Sequence, residues 1–172
     1  VRILDMKERD AAGFAAVAEA GRAEIAANMG FLAERGVMSP AQAERALALI
    51  EFVPREQAAD TLAAADLVIE GVPETREAKS AALAAIGRLA RADCMVVSTT
   101  STMLVTELQG YITGPERFLN THFLNPAYLI PLVEVSASEA TDPAVTDRVV
   151  AVFEAIGKVP VRCSAAPGYI IP

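Results

Sequence analysis

Short apolar, β-prone runs alternate with helix-like segments along the whole of this chain, and that alternation limits its fold more than any single residue does. Asp66-Leu67-Val68-Ile69-Glu70, Cys94-Met95-Val96-Val97 and Val159-Pro160-Val161-Arg162-Cys163 read as strands. Between such runs lie stretches with apolar residues at helical spacing. The unit repeats every roughly 25–30 residues, the size of a strand, a crossover helix and their turns. Right-handed crossovers of this kind assemble strands into a mainly parallel sheet with helices on both faces. The unbroken apolar run ending at Val97 suits a strand covered on both sides. The expected class is therefore α/β, doubly wound.

Boundaries follow from local chemistry. A long helix is expected from Ala11 to about Glu34, with Phe14, Val17, Ile25, Met29 and Leu32 near helical spacing and Gly36 as its stop. Gly13, Gly21 and Gly30 each weaken it by about 1 kcal/mol relative to alanine. Ser39-Pro40-Ala41-Gln42 opens a second helix through a capping box and a proline in the first turn, running to about Ile50. Glu51-Phe52-Val53 is a short strand, and residues 55–64 allow a further helical turn or two. Another helix runs from Thr75 to about Leu89 with Ala78, Ala82, Ile86 and Leu89 on one face. Leu104 to Tyr111 is a short helix, and Phe118 to Phe123 and Leu132 to Val135 are strands. Asp142-Pro143 starts the last helix, expected to bury Val145, Val149, Val152 and Ile156 before Gly157 ends it.

Composition removes several function classes. The 172 residues carry 15 basic and 22 acidic side chains, a net charge of −7. Such a surface repels phosphate backbones, and no basic cluster interleaved with aromatics offsets it, so nucleic acid is not an expected partner. No apolar run approaches the ~20 residues of a membrane span, and no basic segment precedes an apolar one as in a secretory signal. Cys94 and Cys163 lie far apart, without metal-ligand spacing and with a single histidine in the chain, so no metal site is expected. A reduced, cytoplasmic protein is the simplest reading. The chain begins at Val1 and stops at Ile170-Ile171-Pro172, both within structure-like sequence, and reads as part of a longer polypeptide.

Ligands of open α/β sheets sit beyond the carboxyl ends of the strands. The residues there are Asp5, Gly71 to Glu74, Ser98 to Thr102, His122 to Asn125, and Glu134. Asp5 suits the paired hydroxyls of an adenine nucleotide's ribose and would repel a 2′-phosphate, although acids at strand ends also occur in solvated turns. No two glycines form a G-x-G pair, and no G-x-x-x-x-G-K-[ST] is present, which disfavours a P-loop nucleotidase. If Asp5 is the ribose acid, the Gly-rich turn belongs before Val1. His122 follows a strand and suits proton transfer near neutral pH. Glu134, between two valines, is costly to bury unless paired, and an imidazole is a natural partner. A core histidine with Glu134 on a wet sheet face is the alternative. Ser98-Thr99-Thr100-Ser101-Thr102 suits a carbonyl or alcohol oxygen, a helix cap, or both. No G-x-S-x-G elbow supports a serine nucleophile.

Taken together, Ala65 to Glu74, Ser98 to Thr102, His122-Phe123-Leu124-Asn125-Pro126, Pro131 to Val135 and Ala166-Pro167-Gly168-Tyr169-Ile170 resemble, in order and spacing, the NAD-binding domain of the 3-hydroxyacyl-CoA dehydrogenases, including the 3-hydroxybutyryl-CoA enzymes. The resemblance implies a Rossmann-type fold lacking its first strand and Gly-rich turn. It implies an NAD-binding domain over residues 1–165 and, over 166–172, the start of a connection to a C-terminal helical domain. The implied reaction is NAD-dependent oxidation of an L-3-hydroxyacyl-CoA thioester to the 3-ketoacyl-CoA in fatty-acid metabolism, by an enzyme that dimerises through that helical domain.

By the same resemblance His122 is the catalytic base and Glu134 its partner, Ser101 contacts the C3 oxygen, and Asn125 lies beside cofactor and substrate. Asp5, Gly71, Glu74, Lys79 and Thr99 fall on the cofactor side. Two departures stand out: the family's usual Asn-Thr-Ser-Ser is Thr99-Thr100-Ser101-Thr102, and its Pro-Gly-Phe-Ile-x-Asn is Pro167-Gly168-Tyr169-Ile170-Ile171-Pro172. A dehydrogenase of a non-CoA hydroxy acid such as carnitine, and a non-catalytic Rossmann scaffold, are the rival expectations.

Overall fold

The structure, a computed structural model, describes residues 1–166 and Tyr169. Apart from Ala166 and Tyr169, the connection expected over 166–172 lies outside the described residues. The elements run β1 (Arg2–Leu4), α1 (Ala11–Glu34), α2 (Pro40–Ala48), β2 (Glu51–Val53), α3 (Ala58–Ala63), β3 (Leu67–Glu70), α4 (Arg76–Leu89), β4 (Met95–Ser98), α5 (Val105–Leu108), β5 (Phe118–Phe123), β6 (Leu132–Ser136), α6 (Pro143–Ala155) and β7 (Val159–Cys163). They form two compact units, Val1–Thr61 and Leu62–Pro172, described in turn. Two sheets result, β1-β2 and β3-β4-β5-β6-β7, so the strands expected in one sheet are shared between two. Among the described residues β1 and β2 pair only with each other, and β3 and β7 are the edge strands of the five-stranded sheet.

In the first unit β1 and β2 run parallel, and the Asp5 N–H extends their ladder to the Val53 carbonyl at 3.0 Å. Helix α1 starts where Asp10 accepts from the Gly13 N–H at 2.7 Å. It ends in a left-handed Gly36, φ +71°, whose N–H reaches Ala33 while Val37 reaches Leu32. The capping box of α2 is complete: Ser39 Oγ accepts from the Gln42 N–H at 3.2 Å, and Gln42 Oε1 accepts from the Ser39 N–H at 2.7 Å.

In the second unit every pair is parallel except β5 with β6. The core on one face joins Met95, Val97, Leu119, Val133 and Val135 of the strands to Val149 and Phe153 of α6. Burying each such side chain contributes about 1.5–3 kcal/mol. The expected buried face of α6 is corrected at one position. Val149 is buried and Val145 and Val152 pack at its margin, but Ile156 is 64% exposed and Phe153 takes its place. Gly157 turns the chain away there, so Ile156 caps the helix and no longer follows its face. Helix α4 buries Ala82, Leu83 and Ile86. Its last turn is held by Arg117, which is buried and donates to the carbonyls of Gly87, Arg91 and Cys94 at 3.1, 2.7 and 3.3 Å. That single guanidinium satisfies the Gly87 carbonyl, one that a helix end otherwise leaves open, and two carbonyls of the loop that follows.

Candidate active site

The site is built by register. In the parallel ladder Glu70 lies opposite Ser98, and Ser98 opposite Asn120, so β3, β4 and β5 share a carboxyl end. Strand β5 runs on past that line to Phe123, carrying His122 beyond the end of β4. Antiparallel β6 then sets Glu134 directly across from His122. Cross-strand neighbours point to the same face, and alternate residues to opposite ones. Val133 and Val135 therefore enter the core with α6 while Glu134 shares the other face with His122.

On that face His122 Nδ1 stands 2.8 Å from Glu134 Oε2, with 13% of the histidine side chain and 1% of the glutamate exposed. An ionised carboxylate only accepts hydrogen bonds, so this geometry suits the imidazole tautomer with its hydrogen on Nδ1 and its lone pair on Nε2. The structure brings the expected pair together and answers the cost of burying Glu134 between valines. The alternative, Glu134 on a wet face, is not what is found.

The hydroxyl segment is organised by Glu74. Its Oε1 accepts from Thr100 Oγ1, from the N–H groups of Ser101 and Thr102 at 3.1 and 3.0 Å, and from Thr102 Oγ1 at 3.0 Å. Partial burial pushes this carboxyl upward, but the hydrogen bonds from Thr100 and Thr102 and the Lys79 charge outweigh it, holding the pKa at about 2. Thr100 Oγ1 also accepts from the Met103 N–H at 2.9 Å. The expected helix cap is thus met one turn early: the residue before α5 is Leu104, which has no side-chain cap, and Thr100 ties the preceding turn instead. Ser101 is exposed, and the Thr99 N–H donates to Glu70 O at 2.9 Å.

Lys79 lies beneath. It is 1% exposed, its ammonium 3.1 Å from both Glu70 oxygens, 3.4 Å from Ser98 Oγ and 3.5 Å from Glu74 Oε2. Ser98 Oγ and the Val72 N–H donate to Glu70 at 2.5 and 2.6 Å. Lys79 is thus enclosed by Glu70, Ser98 and Glu74, and it reaches the expected cofactor side only through Glu74. Gly71, at the end of β3, is exposed, and a Cβ there would meet only Thr99 Oγ1, at 3.7 Å. Asn125 is exposed just past β5. In the first unit, Asp5 accepts from the Lys7 N–H at 3.0 Å and from Arg9 Nε at 2.5 Å. Burial pushes its carboxyl up, and these contacts outweigh that and lower it. Each of its oxygens retains a lone pair for a ribose hydroxyl.

Sequence reasoning missed Glu70, Arg9 and Tyr169. Glu70 was readable as an acid ending an apolar strand beside Lys79 on the next helix. Tyr169 had only its departure from the family's phenylalanine as a signal. Its ring stacks on His122 at 4.7 Å between centroids with 17° between planes, and its hydroxyl donates to Thr100 O at 2.9 Å. Among the described residues no cluster of three or more His, Cys, Asp or Glu could hold a metal, and no helix is long and apolar enough to cross a membrane.

A family model described as "3-hydroxyacyl-CoA dehydrogenase, NAD binding domain" matches residues 2–166. This chain belongs to that family. NAD is the cofactor of the domain, and the dehydrogenase fold is of Rossmann type. The chain is 35% identical over 151 residues to "Fatty acid oxidation complex subunit alpha" of Psychrobacter arcticus, covering 88% of this chain and 21% of that one. It is 38% identical over 112 residues to "5-formyl-3-hydroxy-2-methylpyridine 4-carboxylate 5-dehydrogenase" of Mesorhizobium japonicum, covering 64% and 36%. The solved 3-hydroxybutyryl-CoA dehydrogenase of Escherichia coli K12 superposes with a TM-score of 0.84 at 30% identity, over 97% of this chain and 33% of that one. The chain thus spans about a fifth to a third of the length of these relatives.

Proposed function

We propose that this dehydrogenase domain serves NAD-dependent oxidation of an L-3-hydroxyacyl-CoA to the 3-ketoacyl-CoA, with His122 as general base. The observation that carries the reading is the 2.8 Å His122–Glu134 bond, formed by a fully buried carboxylate. Such a bond fixes the tautomer that leaves Nε2 free to take a hydroxyl proton and stabilises the imidazolium that results. Bound NAD supplies the hydride acceptor. Ser101, beside the Glu74-held turn, and Asn125, just past β5, orient the C3 oxygen. Asp5 holds the ribose hydroxyls. Gly71, Thr99 and Glu74 line the nicotinamide side, with Lys79 fixing Glu74 from below. Acyl-CoA is the substrate and a homodimer the assembly in this reading.

A general base contributes about 10²–10⁴ in rate. In the intact parent protein, His122→Gln should lose turnover of that order while NAD affinity, read by fluorescence titration, stays within about twofold. Near-normal turnover rejects the assignment. The similarity to a dehydrogenase of a formylpyridine carboxylate favours a second reading, a substrate without a thioester. Parallel assays of 3-hydroxybutyryl-CoA, free 3-hydroxybutyrate and carnitine separate the two. A scaffold without catalysis has no use for the paired, buried Glu134.

A further inference from the structure

We propose that Tyr169 is a positioning residue for His122, clamping the imidazole on its face while Glu134 holds its edge. This inference rests on the reading of His122 as the base. The Tyr169 ring lies nearly parallel over the imidazole, centroids 4.7 Å apart, and its hydroxyl is tied to the Thr100 carbonyl at 2.9 Å. Thr100 is itself buried and bonded to Glu74, so the anchor belongs to the same rigid turn that carries Ser101. The tyrosine therefore bridges the two halves of the site. It links the hydroxyl segment after β4 to the histidine near the end of β5.

Two consequences follow. An imidazole bonded only through Nδ1 can still swing about that bond, and a ring packed against its face blocks the swing and keeps Nε2 on one line of approach. As the imidazole takes up a proton, its positive charge develops against the negative face of the phenol ring, an attraction worth more when partly desolvated. Burial raises the Tyr169 phenol far above its ordinary value, so it stays a neutral donor and takes no proton itself. Tyr169 adopts φ +51°, a left-handed backbone uncommon for a bulky residue, and the stack and the hydroxyl bond supply contacts that hold it there. Phenylalanine, usual at this place in the family, would keep the stack and lose the tether.

His122 is the one histidine of these 172 residues, and a His122→Gln sample identifies its imidazole signals in the NMR spectrum. The test compares wild type, Tyr169→Phe and Tyr169→Leu in the full chain, by imidazole proton shifts and by steady-state kinetics. Stacking displaces the His122 ring protons upfield; that displacement should persist in Tyr169→Phe and collapse in Tyr169→Leu. Turnover should fall about three- to tenfold in Tyr169→Leu with KM for the hydroxyacyl substrate little changed, and recover most of the way in Tyr169→Phe. Unchanged ring-proton shifts in Tyr169→Leu overturn the clamp. Collapsed shifts with undiminished kcat overturn the positioning role. The NMR comparison decides the clamp whether or not the protein oxidises a hydroxyacyl-CoA, so its failure is separable from failure of the dehydrogenase reading. A Tyr169→Leu protein with poor spectral dispersion is replaced by Tyr169→Met, which retains bulk without a ring, under the same criteria.

Discussion

Replacing Glu134 by glutamine isolates the charge on which the proposed chemistry depends. The amide keeps the volume and can still accept from His122 Nδ1, so geometry is conserved while the negative charge is removed. Glu134 is fully buried and its oxygen lies 2.8 Å from the ring nitrogen, placing the charge centres about 4 Å apart once each charge is spread over its group. At an effective dielectric of about 20, two unit charges at that distance attract by about 4 kcal/mol. If the imidazolium is half formed in the transition state, about 2 kcal/mol is lost, which is roughly 30-fold in kcat; a fully formed one gives roughly 1,000-fold. Folding stability moves the other way or not at all, because a buried charge is exchanged for a neutral group. The assay is NADH formation from 3-hydroxybutyryl-CoA alongside urea unfolding of the same samples. Turnover within about threefold of wild type, in a variant at least as stable, would refute the electrostatic argument.

Other perturbations test the surrounding structure. Lys79→Met strands the Glu70 carboxylate in the interior and should cost about 3–5 kcal/mol in urea unfolding, most of it recovered in a Glu70→Gln, Lys79→Met double variant. Glu74 has a folded pKa of about 2 against 4.5 unperturbed, so its contribution is complete above 4.5 and fades as pH falls toward 2. Acid should therefore lower the wild-type Tm over that window more than it lowers the Tm of Glu74→Gln. Gly87→Ala should destabilise by about 1–3 kcal/mol, since its Cβ would sit 2.7 Å from the Thr113 backbone nitrogen. Gly30→Ala, with open space around it in α1, should instead stabilise by about 0.5–1 kcal/mol; thermal melts of the pair check both signs.

Much of this arrangement is legible in the sequence, for local reasons. Ser39-Pro40-Ala41-Gln42 encodes a cap within four residues, and α1, β2, β5 and β7 begin and end where their patterns place them. The His122–Glu134 pair is legible because a carboxylate flanked by valines needs a partner, and the chain has only one imidazole to offer. Long-range geometry is less accessible. Ile156 carries the right spacing for the buried face of α6 and is exposed because Gly157 redirects the chain. No local pattern marks Arg117 as buried, yet it sits at 5% exposure and donates to the carbonyls of Gly87, Arg91 and Cys94, residues well upstream. Lys79 reads as a cofactor contact from the family pattern, whereas its ammonium faces Glu70, Ser98 and Glu74. The Tyr169 stack joins residues 47 apart along the chain, with no spacing rule to announce it.

Because Glu134 meets His122 through the β5–β6 ladder, the excursion from Leu124 to Pro131 that connects those strands is not what aligns them. Lys158 pins that excursion from outside, donating to the carbonyls of Ala127 and Ile130, which asks nothing of the side chains there. Descendants of this domain can therefore redraw the loop, and with it the surroundings of the histidine, while the His122–Glu134 pairing stays as it is. Sliding the ladder by a single residue is the one change they cannot make, since it would turn the glutamate to the far side of the sheet.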